Sequence, residues 1–223
     1  MSKLKAVQPI GIPQSKPKIV VYGKAGVGKT WASLDFPNVY YIDSEGGATG
    51  TRYIEKLKTA NGAYMGAEQG AGDFDEVIAQ VKALATEKHP FKTLVIDSFT
   101  KIFINEIAKE AERISAAGNK DEFGASKKPA VKKSRDFVRW LGLLDMNVIL
   151  ICHEKQLYEK GEAVGFTFDG YEKLDYELDL VLQVLKTGAS RKARIVKSRL
   201  ESFPEGNLID WSFKDFRNGM AAR

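Results

Sequence analysis

Eight consecutive residues, Gly23-Lys24-Ala25-Gly26-Val27-Gly28-Lys29-Thr30, fit the pattern G-x-x-x-x-G-K-[ST]. These residue types suit one task, gripping a triphosphate. The glycines let main-chain N–H groups turn inward around phosphate oxygens, and a helix starting at the end of the loop adds its positive pole. Lys29 is suited to neutralise the β- and γ-phosphates, and the Thr30 hydroxyl to ligate Mg²⁺. The flanks agree: the β-branched run Lys18–Tyr22 enters the loop and a helix start follows. A partner for the metal should be an acid closing an apolar strand, and Leu94-Val95-Ile96-Asp97 supplies one. The alternative for Asp97 is to cap the helix that begins near Phe99.

In many P-loop ATPases a Glu follows that Asp and acts as base. Here the next residue is Ser98, so the base must come from elsewhere. Asp43-Ser44-Glu45 follows the apolar run Val39–Ile42. In a doubly wound sheet the carboxyl ends of neighbouring strands share one crevice, where a carboxylate can orient and deprotonate water. Glu45 is the first candidate and Asp43 the second; a solvated acidic turn is the alternative. His153 closes the apolar run Asn147–Cys152 and would face a γ-phosphate, unless it is an ordinary satisfied His at a strand end. A metal role fits it poorly, because His153-Glu154 lacks the second His of H-E-x-x-H. Lys197 and Arg199, two apart in an extended stretch, point to the same side. Such cations can reach a phosphoryl-transfer site from a neighbouring subunit; an ordinary basic strand end is the other reading.

The elements that must position these residues follow from periodicity and punctuation. Strands are expected over Lys18–Tyr22, Val39–Ile42, Thr93–Asp97, Asn147–Cys152, Leu178–Leu185 and Ala193–Lys197. Helices are expected over Thr30–Asp35, Asp73–Glu87, Phe99–Ile114 and Val131–Asp145. Asp73–Glu87 is the clearest, with Phe74, Val77, Ile78, Val81 and Leu84 on one face, Asp73 as cap and Glu76 completing a capping box. Continuous apolar strands interleaved with helices indicate an α/β fold, a largely parallel sheet covered on both faces. Ser115–Ala130 reads as a long loop, and Glu154–Lys173 as a second mobile stretch or a hairpin.

At 223 residues the chain suits one α/β domain over 18–223, preceded by a polar arm over 1–17. No apolar run reaches membrane-spanning length, and the N-terminus lacks an apolar core of signal-peptide type. The single cysteine, Cys152, excludes an internal disulfide and fits a small core residue in a reducing cytoplasm. The net charge of +5 favours an anionic partner where the charge is clustered. It clusters at Lys127, Lys128, Lys132, Lys133, Arg135 and Arg139, where counterion release could drive binding to a phosphate backbone. Lys155, Tyr158 and Lys160 add cations and one stacking ring, the mix that single strands favour. A solvated helix face is the alternative.

Taken together, these residues resemble the RecA-like ATPases, and among them the small phage AAA-type proteins of the fourth Sak family of recombinases. The resemblance spans about residues 18–212. It rests on Tyr22–Thr30, Tyr41-Ile42-Asp43-Ser44-Glu45-Gly46-Gly47, Val95-Ile96-Asp97-Ser98, Ile149–Glu154 and Lys197-Ser198-Arg199. It implies a three-layer RecA-like core with a mostly parallel twisted sheet, ATP and Mg²⁺ as ligands, and Glu45 as general base. It further implies His153 as the polar residue linking nucleotide to DNA loops, though relatives carry Gln there. Lys197 and Arg199 would be fingers acting across subunits of a ring or filament, and 115–130 and 154–173 the DNA-facing loops. Single-stranded DNA is then the partner, alongside a single-strand binding protein, in recombination or annealing. A P-loop kinase and an ATP-switched binding module without turnover are the competing functions.

Overall fold

The computed structural model describes Lys5 and residues 16–221. The arm expected over residues 1–17 otherwise lies outside the described residues. In chain order the elements are β1 (Lys18–Tyr22), α1 (Lys29–Ser33), β2 (Val39–Asp43), α2 (Thr51–Thr59), β3 (Ala63–Met65), α3 (Phe74–Thr86), β4 (Thr93–Asp97), α4 (Phe99–Ala116) and α5 (Lys127–Leu141). They continue as β5 (Asn147–Glu159), β6 (Glu162–Asp169), α6 (Leu174–Glu177), β7 (Leu180–Thr187), β8 (Ser190–Ser198), β9 (Leu208–Asp210) and α7 (Phe213–Ala221).

The strands hydrogen-bond in the order β3-β2-β4-β5-β1-β7-β8-β9, with β6 added to β5. The pairs β2–β3, β2–β4, β4–β5, β1–β5 and β1–β7 are parallel. The pairs β5–β6, β7–β8 and β8–β9 are antiparallel. β1 is central and buried throughout, which is why it reads as an unbroken apolar run. Its alternate residues serve two cores. Val20 and Tyr22 pack with Phe74, Phe99 and Phe137 of α3, α4 and α5. Ile19 and Val21 pack on the other face with Ala32, Leu57 and Phe216 of α1, α2 and α7. The result is three layers with helices on both faces. Each buried aliphatic side chain of β1 contributes about 1.5–3 kcal/mol.

Asp73 caps α3, its carboxylate accepting from the N–H groups of Asp75 and Glu76. The expected capping box is not closed, because the Glu76 carboxylate instead accepts from the Gln80 side chain at 3.0 Å. The stretch 115–130 is less of a loop than expected. α4 runs to Ala116 and α5 already begins at Lys127. Pro129 is accommodated in the first turn of α5, where a missing N–H costs nothing. The stretch 154–173 is built mainly as the β5–β6 hairpin, turned by Lys160 and Gly161 at φ 50 and 87. Positive φ at both positions matches the right-handed twist of the flanking strands. Among the described residues no helix is long and apolar enough to cross a membrane.

Candidate active site

Strand register brings the predicted residues to one edge. Asp43 pairs with Asp97, and Asp97 with Ile151. Tyr22, the last residue before the glycine loop, pairs with Cys152. The ends of β1, β2 and β4 and the end of the parallel part of β5 therefore lie within about two residues of one level. A cavity of about 610 Å³ opens there, lined by Gly23, Lys24, Ala25, Gly26, Lys29, Thr30, Asp43, Glu45, Asp97 and His153 among others.

The loop conformation requires its glycines. Gly26 and Gly28 lie at φ 74 and 93, in the left-handed region that a side chain disfavours. A Cβ on Gly23 would stand 2.4 Å from the main-chain oxygen of Val184. The Lys29 ammonium donates to the carbonyls of Gly23 (2.7 Å) and Lys24 (3.0 Å) and so folds back into the cradle. Burial pulls its pKa down, while Asp97, Glu45 and Glu154 pull it up.

The Thr30 hydroxyl donates to Asp97 Oδ2 at 2.5 Å, and the Tyr41 hydroxyl donates to the same oxygen at 3.2 Å. Burial pushes the Asp97 pKa up; the Thr30 and Tyr41 hydroxyls oppose the rise and the Glu45 and Asp43 carboxylates add to it. An oxygen pair of this kind, half-buried and including a carboxylate, fits a hard divalent cation completing its shell with phosphate oxygens and water. The alternative capping role for Asp97 is excluded by geometry. The N-cap of α4 is Ser98, whose hydroxyl accepts from Lys101 N. The Asp97–Ser98 peptide is cis.

Ser98 also reaches the neighbouring loop. Its hydroxyl donates to Glu45 Oε1, and His153 Nε2 meets the same oxygen at 2.5 Å. Ser44 ties the two loops together, donating to Ser98 O at 3.0 Å and accepting from Ser98 N at 2.9 Å. Thus Ser98, at the position where many P-loop ATPases carry Glu, instead holds a carboxylate from the loop after β2. Asp43, the second candidate, is set aside as a base because both its oxygens are committed. Oδ1 accepts from the N–H groups of Glu45, Gly46 and Gly47, and Oδ2 from Ala48 N and the Tyr64 hydroxyl. It anchors the loop that carries Glu45.

A family profile described as an AAA domain matches residues 15–201. The chain belongs to this AAA domain family. A search of curated proteins finds no match. Among solved structures, the fold is similar to the crystal structure of the RadB recombinase, at 20% identity and a TM-score of 0.55, over 86% of this chain and 84% of that one. The likeness establishes a RecA-like core.

The AAA domain holds further residues at the site that spacing did not reveal. A second cavity of about 370 Å³ lies behind the loop, lined by Gly26, Gly28, Lys29, Thr30, Trp31, Arg52, Tyr53 and Arg191. Trp31 meets Tyr53 edge-on, centroids 5.6 Å apart, and carries the Arg52 guanidinium 4.9 Å from its centroid. A Cβ on Gly28 would stand 2.5 Å from Arg191 Nε. The one available signal was Trp31 directly after the motif. α2, which carries Arg52 and Tyr53, is too polar to stand out, and Arg191 arrives through β8.

Lys197 and Arg199 do not line either cavity of the AAA domain. β8 runs antiparallel to β7, so Ser198 pairs with Leu180, at the amino-terminal end of the parallel strands. The Lys197 amine donates to Leu178 O, and Arg199 to the carbonyls of Glu177 and Tyr176. Both do point to one side, onto the carboxyl end of α6. Burial, and then Arg199, pull the Lys197 pKa down. The cations expected to meet DNA separate into two groups. Lys133 is committed inward, to Asp75 at 2.7 Å and Glu106 at 2.8 Å. Lys127 pairs with Glu172 (2.8 Å) and Lys155 with Asp169 (3.2 Å). Lys128, Lys132 and Arg135 are exposed without an acid within salt-bridge distance among the described residues. Tyr158 and Lys160 sit at the exposed tip of the β5–β6 hairpin.

Proposed function

We propose that this chain hydrolyses ATP to ADP and phosphate, is stimulated by single-stranded DNA, and acts as an oligomer in recombination or single-strand annealing. The observation that carries the reading is Glu45, held by Ser98 and His153 over the glycine loop and facing the cavity. A carboxylate fixed there is suited to orient water and accept its proton. The loop amides and Lys29 would hold the phosphates, Lys29 exchanging its two carbonyl partners for phosphate oxygens. Magnesium, held by Thr30 and Asp97, would neutralise charge on the phosphates. The base and ribose would lie in the second cavity against Tyr53 and Arg191.

The fold neighbour is named a recombinase, which supports the DNA reading, as do the free cations of α5. Lys197 and Arg199 lie on the far edge of the sheet from their own loop, so any finger role is across subunits of a ring or filament. The reading extends to the narrower resemblance, a phage-type annealing protein working in the cytoplasm beside a single-strand binding protein.

The test is phosphate release from Mg-ATP with and without a dT oligonucleotide, against Lys29→Ala protein. Turnover raised severalfold by the oligonucleotide supports the proposal. Phosphate transferred to a small acceptor points to a kinase, and binding without turnover to an ATP-switched module.

A further inference from the structure

Phe123 stands out among the described residues. It is 99% exposed, and it sits at φ 54 and ψ 28, a left-handed conformation rare for a bulky side chain. The loop is closed around it: the Asp121 carboxylate accepts from Ser126 N at 2.9 Å and from the Ser126 hydroxyl at 2.6 Å. An exposed ring held this way is not a fragment of core. It forms one wall of a groove of about 340 Å³ whose floor is Val131 and whose rim is Lys127, Lys128, Lys132 and Arg135. Arg135 Nε also lies 3.4 Å from the hydroxyl of Tyr171, near the root of the β5–β6 hairpin.

We propose that this groove binds single-stranded nucleic acid, with one base stacked on Phe123 and the adjoining phosphates on Lys128, Lys132 and Arg135. The proposal rests on the DNA reading above and narrows it to one residue and one class of strand. An aromatic face beside unpaired cations matches a strand whose bases are free. A duplex hides its base faces and would use the cations alone. The β5–β6 hairpin is a weaker candidate: Lys155 is neutralised by Asp169, and its strands also carry Glu154, Glu159 and Glu162.

Fluorescence anisotropy of a labelled dT oligonucleotide, without ATP, tests the groove apart from turnover. Phe123→Ala should weaken binding about 5- to 150-fold, and Phe123→Trp should keep it. The Lys128→Ala/Lys132→Ala variant should lower the slope of log affinity against log salt by about 1.4. Duplex DNA of equal length should be indifferent to Phe123→Ala. The variants remove exposed side chains, so melting temperature should hold. Unchanged single-strand affinity in Phe123→Ala overturns the proposal, even where DNA still stimulates hydrolysis. So does poly-glutamate competing as well as the oligonucleotide, which would mark an acidic protein as the partner. Phe123-dependent binding without any DNA-stimulated turnover would uphold the groove and refute the stimulation by DNA proposed above.

Discussion

Two side chains converge on one carboxylate oxygen: Ser98, just after β4, and His153, within β5, both meet Glu45 Oε1. This fixes Glu45 far better than an unsupported loop residue, because its remaining freedom is the rotation of a carboxylate already held. Glu45→Gln is expected to cut kcat by about 10²–10⁴, the usual worth of a positioned base, with ATP affinity retained. Ser98→Ala should cost about tenfold in kcat, the equivalent of one lost hydrogen bond to a charged group, with KM little changed. It should also cost about 1 kcal/mol of stability through the lost cap of α4. Steady-state kinetics with thermal melting separate the two effects, and a Ser98→Ala protein that loses stability but not kcat would reduce Ser98 to a cap. The glycine loop, Asp97, Glu45 and His153 were legible because each fills a contiguous motif or lies at or just past the end of an apolar run. Their mutual bonding was not, since it depends on register. Nor were Tyr53 and Arg191, which approach the loop from segments with no local signature, or the inward turn of Lys133, which needed Asp75 and Glu106 beside it.

Elements were legible in proportion to how apolar they are. Buried strands such as β1 and β4 declared themselves, and α3 did so by periodicity. β3, three residues long at the sheet's edge, did not, nor did α2, a polar helix that buries only Leu57, nor the first turn of α5, where lysines precede the first buried side chain, Ala130. One residue joins these elements in a way that titrates. Lys18, 6% exposed at the start of β1, donates to the carbonyls of Leu144 (3.0 Å) and Met146 (2.9 Å) between α5 and β5. Burial pulls its pKa down to about 8 from 10.5, partly opposed by Asp179 and Asp145. Between those values the unfolded chain holds a proton that the folded chain has released, so stability rises with pH through the window. Above about pH 10 the effect reverses, because Tyr22 is pushed up to about 12 by burial and the unfolded chain loses its phenolic proton first. The expected gain from Lys18 is no more than about 3 kcal/mol. Urea unfolding from pH 7.5 to 10 should show a rise, as an approximate window set by that linkage, that Lys18→Met flattens. An equal rise in the variant would assign it to other groups.

At the scale of the whole molecule the two halves of the predicted chemistry lie on opposite edges. The glycine loop follows the carboxyl end of β1, while Lys197 pairs with Val181 at the amino-terminal end of β7 and Arg199 follows just past it. A five-residue strand at about 3.3 Å per residue puts roughly 15 Å between the two edges, too far for either cation to touch its own nucleotide. A sheet with acceptor and donor on opposite edges is suited to head-to-tail stacking, in which one subunit's far edge completes the next subunit's site; such contacts build rings or filaments. In the isolated chain both cations hold the end of α6, and a partner's phosphates would have to draw them from those carbonyls. Under that arrangement two variants inactive alone should complement each other. Glu45→Gln protein keeps Lys197 and Arg199, and Lys197→Ala/Arg199→Ala protein keeps Glu45. In an equal, random mixture about one quarter of head-to-tail interfaces join an intact base to intact fingers. ATP hydrolysis of the mixture should therefore approach about a quarter of the unmodified rate under that arrangement, provided the subunits exchange. Exchange can be checked by mass measurement of the mixed oligomer. Activity no higher than the sum of the separate variants, in a mixture shown to exchange, would leave Lys197 and Arg199 as the cap of α6 and nothing more.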